Sequence, residues 1–367
     1  MNTFGKTIGL TIFGESHGLS IGAVLDGLPS GEAIDWDAVR AEMARRAPGK
    51  NQMSTARSEK DAFEVQSGFF NGYTTGTPLC AIIRNSDQHS RDYDQLRHLM
   101  RPGHADYSGK IRYGGFNDYR GGGHFSGRLT APLVFAGAVA SQILARHGIT
   151  VGSHIFRLAG IADKPFKAIG ETAETLQALK KETLPVLDKA QAGPMEEKIL
   201  AAKNDLDSVG GVIECMVTGL PAGIGDPFFD SVESQVSHMM FSVPAVKGIE
   251  FGDGFSLAEL RGSQANDAFY YDGDVVKTRT NHNGGINGGI TNGMPVVFRL
   301  AIKPTASISQ KQATIDTDTK ENCDLVIKGR HDPVSSSGPF PSSKQPLPGP
   351  SSTSACPRKD GAGNGCF

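Results

Sequence analysis

The sequence predicts an α+β fold, with helices and strands interspersed along one large domain. Three observations indicate this class. Segments with helical end signals alternate with short strand-like runs, no internal repeat occurs, and no linker-like segment interrupts residues 1–333. The chain has 367 residues, enough to bury a substantial hydrophobic core. We therefore expect a single domain over residues 1–333, followed by a tail of different composition.

The first predicted elements are a helix and a strand in the N-terminal quarter. Asp35 has a side chain suited to cap a helix that runs to Arg46, and Pro48 with Gly49 would end that helix. The run Leu79–Arg84 is rich in apolar and β-branched residues and lies near proline and glycine, which predicts a strand.

A long apolar stretch over residues 129–145 predicts a core helix. We expect Pro132 to be the first residue of this helix and His147 to be near its end, because Gly148 follows. Polar residues interrupt this stretch and Arg146 ends it, short of the roughly 20 apolar residues that a bilayer span needs. We therefore expect no membrane partner.

The second half contains one more predicted helix and two strands. The helix has the sequence MEEKILAAKNDL and starts at Met195, directly after Pro194. Residues 211–217 and 294–302 combine β-branched or alternating apolar residues with nearby glycine or proline, which is typical of strands.

Charge and cysteine content exclude several classes of protein. The chain has 37 basic and 39 acidic residues, so no overall field attracts nucleic acid or a membrane surface, and any anion must be bound locally. The five cysteines include no C-x-x-C pair, which argues against a disulfide framework or a zinc cage. The N-terminal segment lacks the pattern of a secretory signal, and we expect a cytoplasmic protein.

Two glycine-rich loops could bind an anion through exposed backbone N–H groups. They are RGGGHFSGR at 120–128 and NHNGGINGGI at 281–290. Neither has the G-x-G-x-x-G spacing of a dinucleotide fold, and no P-loop is present. Glycine turns alone are usually structural, but Arg120 and Arg128 flank the first loop, and guanidinium groups beside such a loop favour an oxyanion.

Two histidines lie in turn-like sequence, His17 in GESHG and His104 in RPGHAD. An imidazole near neutral pH can donate or accept a proton, for example to a phosphate leaving group. The alternative is a turn or capping role. A third cluster, KGRHDP at 328–333, is either a further site or a strand end with a solvated turn.

Metal chemistry is the rival hypothesis for these residues. His17, His104, Asp106 and Asp332 could in principle form a site of two histidines and carboxylates. No H-E-x-x-H or H-x-H spacing supports such a site, and we expect no metal.

Nine motifs, in order along residues 1–333, resemble the chorismate synthase family: GESHG, RPGHADY, YRGGGHFSGRLTA, PAGIGDP, VKGIEFGDGF, LRGSQ, NHNGGINGGI, KPTASI and KGRHDP. The resemblance implies a lyase of the shikimate pathway that converts 5-enolpyruvylshikimate 3-phosphate to chorismate and phosphate by 1,4-anti elimination. It implies reduced FMN as cofactor, with NADPH as a candidate external source of reductant. It also implies a β-α-β sandwich, with helices packed between antiparallel sheets, and a homotetramer.

The resemblance assigns catalytic roles to five residues. His17 corresponds to the acid that protonates the departing phosphate, and His104 to the residue that manages the proton at flavin N1. Asp332 corresponds to the group that assists proton removal at flavin N5. Ser16 and Ser126 would orient these groups.

The resemblance also assigns binding residues. The substrate anions would be held by four arginines: Arg46, Arg101, Arg128 and Arg330. FMN would contact the following residues: His124, Phe125, Ser126, Pro244, Ala245, Gly288, Lys303, Pro304, Thr305, Ala306, Ser307 and Arg330. The chain departs from the family at Gln52, where many members carry arginine, and Lys50 and Arg57 are candidate substitutes.

The composition changes after Pro333, where Ser, Pro and Gly make up 19 of the 34 remaining residues. Such a segment buries too little apolar surface to fold, so a disordered tail is expected. In one choice of codons, restoring one base in the Pro333 codon turns the next residues into Pro-Cys-Val-Val-Leu-Arg-Ala-Val-Pro-Val-Val-Glu-Ala, the continuation typical of the family. We infer a single-base deletion, in the gene or its sequencing, that places 334–367 out of frame.

Two alternatives to an active lyase remain open at this point. One is a non-catalytic homologue that binds flavin or phosphate and is inactivated by the altered C-terminus. The other is a metal phosphohydrolase that acts on a phosphorylated cyclic acid.

Overall fold

The computed structural model of the chain describes residues 1–47, 60–86 and 96–327. Several predictions lie outside these described residues: the helix end at Pro48 and Gly49, the substitution at Gln52, the roles of Arg330 and Asp332, and the disordered tail at 334–367.

The described residues form eighteen strands and seven helices. The strands are β1 Thr3–Phe4, β2 Gly9–Gly14, β3 Ser20–Asp26, β4 Phe63–Ser67, β5 Phe69–Phe70, β6 Tyr73–Thr74, β7 Leu79–Arg84, β8 Thr150–Leu158, β9 Ile161–Ala162, β10 Gly211–Thr218, β11 Val246–Phe251, β12 Phe269–Asp272, β13 Val275–Thr278, β14 Ile286–Asn287, β15 Ile290–Thr291, β16 Val296–Ile302, β17 Gln312–Asp316 and β18 Glu321–Leu325. The helices are α1 Trp36–Arg46, α2 Asp106–Arg112, α3 Thr130–Arg146, α4 Ala173–Leu179, α5 Ala192–Asn204, α6 Val232–Phe241 and α7 Gly262–Ala265. Tight 3₁₀ turns at Arg120–Phe125 and Gly127–Leu129 precede α3.

Two antiparallel sheets of five strands organise the chain. The first has the strand order β1-β2-β3-β7-β4, and the second has the order β11-β16-β10-β8-β9. In the first sheet, Leu25 pairs with Leu79 across β3 and β7. In the second, Cys215 of β10 lies opposite Phe298 of β16 on one side and Ser153 of β8 on the other.

Helix α3 lies between the two sheets. It packs against β2, β3 and β7 of the first sheet, against β8 of the second, and against α1. Phe135, at 1% exposure, sits in its middle and stacks on Trp36 of α1 with ring centroids 6.1 Å apart. Burying a side chain of this size contributes about 1.5–3 kcal/mol. The predicted layering of helices between antiparallel sheets is confirmed.

The helical segment that contains α3 is longer than the apolar stretch from which it was predicted. Together with the turn before it, Gly127–Arg146 forms 20 helical residues and meets the length and composition of a membrane span. The expectation that it falls short of this length was therefore wrong. The helix is nevertheless a core element, because most of it is buried and both sheets contact it.

The bounds of α1 agree with the prediction, whereas α3 and α5 start before their prolines and end at Arg146 and Asn204, one and two residues before the predicted ends. The Asp35 carboxylate accepts hydrogen bonds from the next turn's backbone N–H groups, at 2.9 Å and 3.1 Å, and caps α1 as expected. Pro132 is the third residue of α3, and Pro194 is the third residue of α5, which begins at Ala192 rather than at Met195. Both helices continue directly from a preceding 3₁₀ turn. Proline is tolerated throughout the first turn, where its missing N–H has no helical partner.

The three predicted strands are present as β7, β10 and β16. β7 has the predicted bounds, β10 extends one residue further, and β16 begins at Val296, two residues later than expected. Pro295 directly precedes β16, and proline cannot donate to a strand ladder.

A row of alternating charges crosses one face of the second sheet. Glu250, Arg299, Glu214 and His154 lie on four adjacent strands in mutual register. His154 is buried and places its two ring nitrogens 2.9 Å from Glu214 and 3.0 Å from Asp163. Burial is the largest effect on the pKa of His154 and lowers it, but the hydrogen bonds to the two carboxylates outweigh it, and the pKa is raised. Both ring nitrogens donate, so this imidazole is a buried cation.

Candidate active site

His17 and Ser16 lie in the tight connection between β2 and β3. Both are buried, at 4% and 0% exposure, although they belong to a turn. The Ser16 backbone N–H donates to the Gly123 carbonyl at 3.0 Å, which joins this turn to the glycine-rich loop. The buried Ser16 hydroxyl has no hydrogen-bond partner among the described residues. It is therefore available to a bound ligand.

Three consecutive glycines lie between the two candidate histidines. Gly121, Gly122 and Gly123 have φ angles of +57°, +83° and +53°, in the left-handed region that favours glycine. A Cβ at Gly121 would lie 2.2 Å from Cε1 of His17, and a Cβ at Gly122 would lie 3.1 Å from Cε1 of His104. The glycine backbone therefore lies against both imidazoles, and a side chain at Gly121 or Gly122 would crowd them.

His104 belongs to a partly buried cluster with Asp106 and Arg101. The Asp106 carboxylate accepts from Nε and Nη2 of Arg101, both at 2.7 Å, and lies 2.6 Å from Nδ1 of His104. Nδ1 also lies 3.1 Å from Arg101 Nη2, but the shorter contact indicates that Nδ1 donates its proton to Asp106. This tautomer leaves Nε2 free to accept a proton, on the side of Gly122.

The pKa of Asp106 reflects the same contacts. Burial is the largest effect and raises it, but the hydrogen bonds and charges of Arg101 and His104 outweigh burial and hold the pKa well below its usual range. Asp106 is therefore a permanent anion that fixes the His104 ring.

The KPTAS segment at 303–307 packs against the loop that carries His104. Arg101 Nη1 donates to the Ser307 hydroxyl at 3.1 Å, and the Lys303 ammonium donates to the Gly103 carbonyl. The Lys303 backbone N–H donates to the Ala245 carbonyl at 2.9 Å. These contacts bring three segments that are distant in sequence to one place.

Two lysines give this segment a local positive charge. Burial lowers the pKa of Lys303, and the nearby ammonium of Lys247 lowers it further. An anion bound beside both ammonium groups would relieve their repulsion. The donor set, with the hydroxyls of Thr305 and Ser307 in the same segment, fits the phosphate of a flavin mononucleotide.

Arg46 and Arg128 form a second cationic cluster. Arg46 is the last residue of α1, and Arg128 lies in the turn before α3; both are buried. Asp61 bridges them, accepting from Nη1 of Arg46 at 2.6 Å and from Nη1 of Arg128.

Asn85 joins this cluster to the turn of His17. Its side-chain oxygen accepts from Nε of Arg128 at 3.1 Å, and its amide nitrogen donates to the carbonyls of Glu15 and Gly18 at 3.0 Å and 2.8 Å. The two arginines and the GESHG turn are therefore held in one region.

Comparison with known proteins assigns the chain to a family. The family model described as "Chorismate synthase" matches residues 8–339. The chain belongs to the chorismate synthase family. Similar chorismate synthases come from Dehalococcoides mccartyi (44% identity over 331 residues), Methanosarcina mazei (43% over 333) and Chitinophaga pinensis (45% over 333). Each comparison covers 90–91% of this chain and 90% of the relative.

A solved structure supports the same fold. A crystal structure of a chorismate synthase matches with a TM-score of 0.69 and 30% sequence identity, covering 82% of this chain and 85% of that chain. Membership of the chorismate synthase family makes this chain a lyase of the shikimate pathway that acts on a small-molecule substrate, and members of this family use reduced flavin. The alternative of a non-catalytic homologue is not favoured.

Contacts among the described residues join most of the predicted site residues into one region: Ser16, His17, Arg46, Arg101, His104, His124, Arg128, Ala245, Lys303, Ala306 and Ser307. His124 Nδ1 donates to the Gly14 carbonyl at 2.7 Å. Ser126 caps the turn before α3, with its hydroxyl 3.3 Å from the Arg128 backbone N–H. The described contacts do not bring Gly288 to this region.

The structure also shows the surroundings of Arg120 and Phe125. Arg120 pairs with Asp118 at 2.8 Å and is partly exposed, whereas Arg128 is buried. Phe125 packs on α2, where a Cβ at Gly109 would lie 2.6 Å from its ring. The part of the chain that the structure describes contains no group of three His, Cys, Asp or Glu side chains arranged to hold a metal.

Proposed function

We propose that this chain converts 5-enolpyruvylshikimate 3-phosphate to chorismate and phosphate, with reduced FMN, in the region formed by the loops at 14–18, 101–106 and 120–128. The observation that supports this proposal is the closeness of the glycine run to both His17 and His104. In this 1,4-elimination the ring loses one proton, the carbon–oxygen bond to phosphate breaks, and a second ring double bond forms. The reaction is redox-neutral overall.

His17 is the acid in this proposal. Its buried turn lies near the paired guanidinium groups of Arg46 and Arg128, which suit an anionic leaving group. A proton from the imidazole to the phosphate oxygen would lower the barrier to its departure. The Ser16 hydroxyl, which is buried without a hydrogen-bond partner among the described residues, would donate to the same anion.

His104 exchanges a second proton. Asp106 fixes its Nδ1–H, so Nε2 is the nitrogen that accepts or returns a proton at flavin N1. Ser126 would orient these groups, and Asp332 would assist proton removal at flavin N5.

FMN would lie against the segment 303–307, with the Lys303 ammonium toward its phosphate. Reduced FMN, when bound, would supply the electron-rich ring that this reaction requires, and NADPH is a candidate external source of reductant. The further FMN contacts would be His124, Phe125, Ser126, Pro244, Ala245, Gly288 and Arg330. Arg101 and Arg330 would complete the cationic pocket for the substrate.

We also propose a homotetramer in the cytoplasm. Large aromatic side chains are exposed on the surface of the described chain: Phe228 at 85%, Phe229 at 92%, Phe255 at 85% and Tyr271 at 78%. Exposed aromatic groups of this size are typical of subunit contacts. Light scattering coupled to size exclusion measures the assembly, and a monomer at micromolar concentration, for a chain that carries the family's usual C-terminal continuation, would contradict the proposal.

The chain after Pro333 is proposed to be out of frame. The family match ends at residue 339, close to the point where the composition changes. Resequencing the locus tests the frame directly. With the frame restored we expect stronger tetramers and higher activity; an active, tetrameric protein with the Ser- and Pro-rich tail in frame would overturn the idea.

The proposed reaction is tested by anaerobic incubation with the substrate and photoreduced FMN, with and without a metal chelator. We expect turnover that needs reduced FMN and resists the chelator. A metal phosphohydrolase would instead lose activity with the chelator and would not need flavin.

A further inference from the structure

Asp61 is a buried carboxylate that contacts two of the proposed substrate arginines at once. Its side chain has 0% exposure. One carboxylate oxygen accepts a hydrogen bond from Arg46, and the other accepts one from Arg128. The two arginines lie far apart in the sequence, one at the end of α1 and one just before α3. No other described carboxylate contacts both guanidinium groups.

The two arginines share one carboxylate. Both guanidinium groups and the Asp61 carboxylate are buried. Burial is the largest effect on the pKa of Asp61 and raises it, but the charges and hydrogen bonds of both arginines outweigh burial and lower the pKa. The carboxylate is therefore ionised whenever the arginines flank it.

Other contacts limit each guanidinium to one orientation. Arg46 Nε lies 3.3 Å from the Thr130 hydroxyl, and its Nη2 lies 3.3 Å from the Gly127 carbonyl. Arg128 Nε donates to Asn85, as described above. Asp61 has a φ of +49°, a left-handed conformation that residues other than glycine rarely adopt. Backbone strain of this kind persists where surrounding contacts fix it, often beside a functional site.

We propose that Asp61 is a positioning residue that holds Arg46 and Arg128 as one unit of two guanidinium groups for an oxyanion of the substrate. Asp61 itself does not touch the substrate. It offsets the repulsion between the two arginines and fixes the angle between them. This inference rests on the proposed role of both arginines in substrate binding.

The test measures substrate affinity by calorimetry, with the full chain and oxidised FMN, which does not support turnover. Asp61→Asn should weaken the binding of 5-enolpyruvylshikimate 3-phosphate by about tenfold or more, since the amide removes one charge and offers a hydrogen to a guanidinium. FMN affinity without substrate should change by less than about twofold, because the printed contacts of Asp61 are to Arg46 and Arg128, and neither is a proposed FMN contact. Glu64→Gln is the matched control: Glu64 lies three residues away and pairs with Arg84 on the surface.

A double-mutant cycle separates positioning from a purely structural role. Arg46→Gln and Arg128→Gln should each weaken substrate binding. When one of these arginines is already replaced, Asp61→Asn should reduce substrate affinity by less than about a further threefold, because Asp61 acts through the arginines. Full additivity would overturn the inference. If the Asn variant does not fold, Asp61→Glu carries the test: the extra methylene should displace the guanidinium groups and weaken substrate binding at least about threefold.

The outcomes distinguish the two proposals. If the arginine variants bind substrate as the parent does, the proposed substrate site is wrong and Asp61 has no role in it. If the arginine variants lose affinity but the Asp61 variants keep it, the substrate site stands and the Asp61 inference is overturned.

Discussion

A methyl group at Gly121 should disable the active site while leaving the fold intact. Gly121 has a φ of +57°, and its backbone contacts the His17 ring. The Gly121→Ala variant places a Cβ 2.2 Å from Cε1 and 2.3 Å from Nδ1 of His17, and 3.0 Å from the Ser16 hydroxyl. Carbon atoms in contact normally lie about 3.5–4.0 Å apart, so either the ring or the glycine loop must move.

The structure allows the size of this effect to be worked out. Restoring an ordinary contact requires the Cε1 distance to grow from 2.2 Å to about 3.5 Å, a shift of about 1.3 Å. A misplacement of about 1 Å can lower a catalytic rate by about 10²-fold, which corresponds to about 2.7 kcal/mol of activation free energy. The left-handed backbone adds about 1–2 kcal/mol of destabilisation for any residue with a Cβ.

Gly115→Ala is the matched control for the backbone cost. Gly115 has a φ of +81°, and a Cβ there would meet no atom within 4 Å. Gly121→Ala should lose at least as much thermal stability as Gly115→Ala, but only Gly121→Ala should lose kcat, measured anaerobically with saturating reduced FMN. The reasoning would be refuted if kcat of Gly121→Ala stayed within about threefold of the control.

Three further predictions follow from the site and from the second sheet. His17→Ala and His104→Ala should each lower kcat by about 10²–10⁴-fold, with FMN affinity retained, and a near-parental kcat in either variant would exclude the role assigned to that histidine. FMN should bind more tightly when substrate is present, because the first ligand orders loops that the second also contacts; flavin fluorescence titrations that give equal affinities would contradict this. The pKa of His154 is raised by folding, so the stability that this imidazole contributes is complete below the unfolded pKa of 6.5 and is lost as the pH rises through the raised pKa. His154→Gln should therefore lower the melting temperature at about pH 6, and the melting temperature of the variant should fall less between about pH 6 and pH 9 than that of the parent. An equal fall in both proteins would show that this imidazole does not titrate with unfolding.

The sequence predicted elements best where a local signal decides them. Asp35 caps α1 because its carboxylate reaches backbone N–H groups two and three residues away, and such a contact is readable from sequence. The starts of α3 and α5 were misplaced because proline is compatible with several first-turn positions. Which of these positions is used depends on the preceding 3₁₀ turn, and this turn has no strong sequence signal.

The site was predictable in its histidines and glycines but not in its carboxylates. His17, His104 and the glycine run lie in short motifs, and their proximity follows from the family resemblance. Asp106 was considered only as a metal ligand, although its position two residues after His104 could have indicated a partner for that imidazole. Asp61 lies 15 and 67 residues from its two arginine partners, and only the tertiary structure brings them together.

The central claim is that this region eliminates phosphate from the substrate and leaves a ring diene. A single anaerobic turnover with photoreduced FMN, followed simultaneously by phosphate release and by diene absorbance, tests it most directly. We predict one phosphate for each diene formed. Phosphate released without the diene would instead indicate hydrolysis, and it would contradict the elimination assigned to this site.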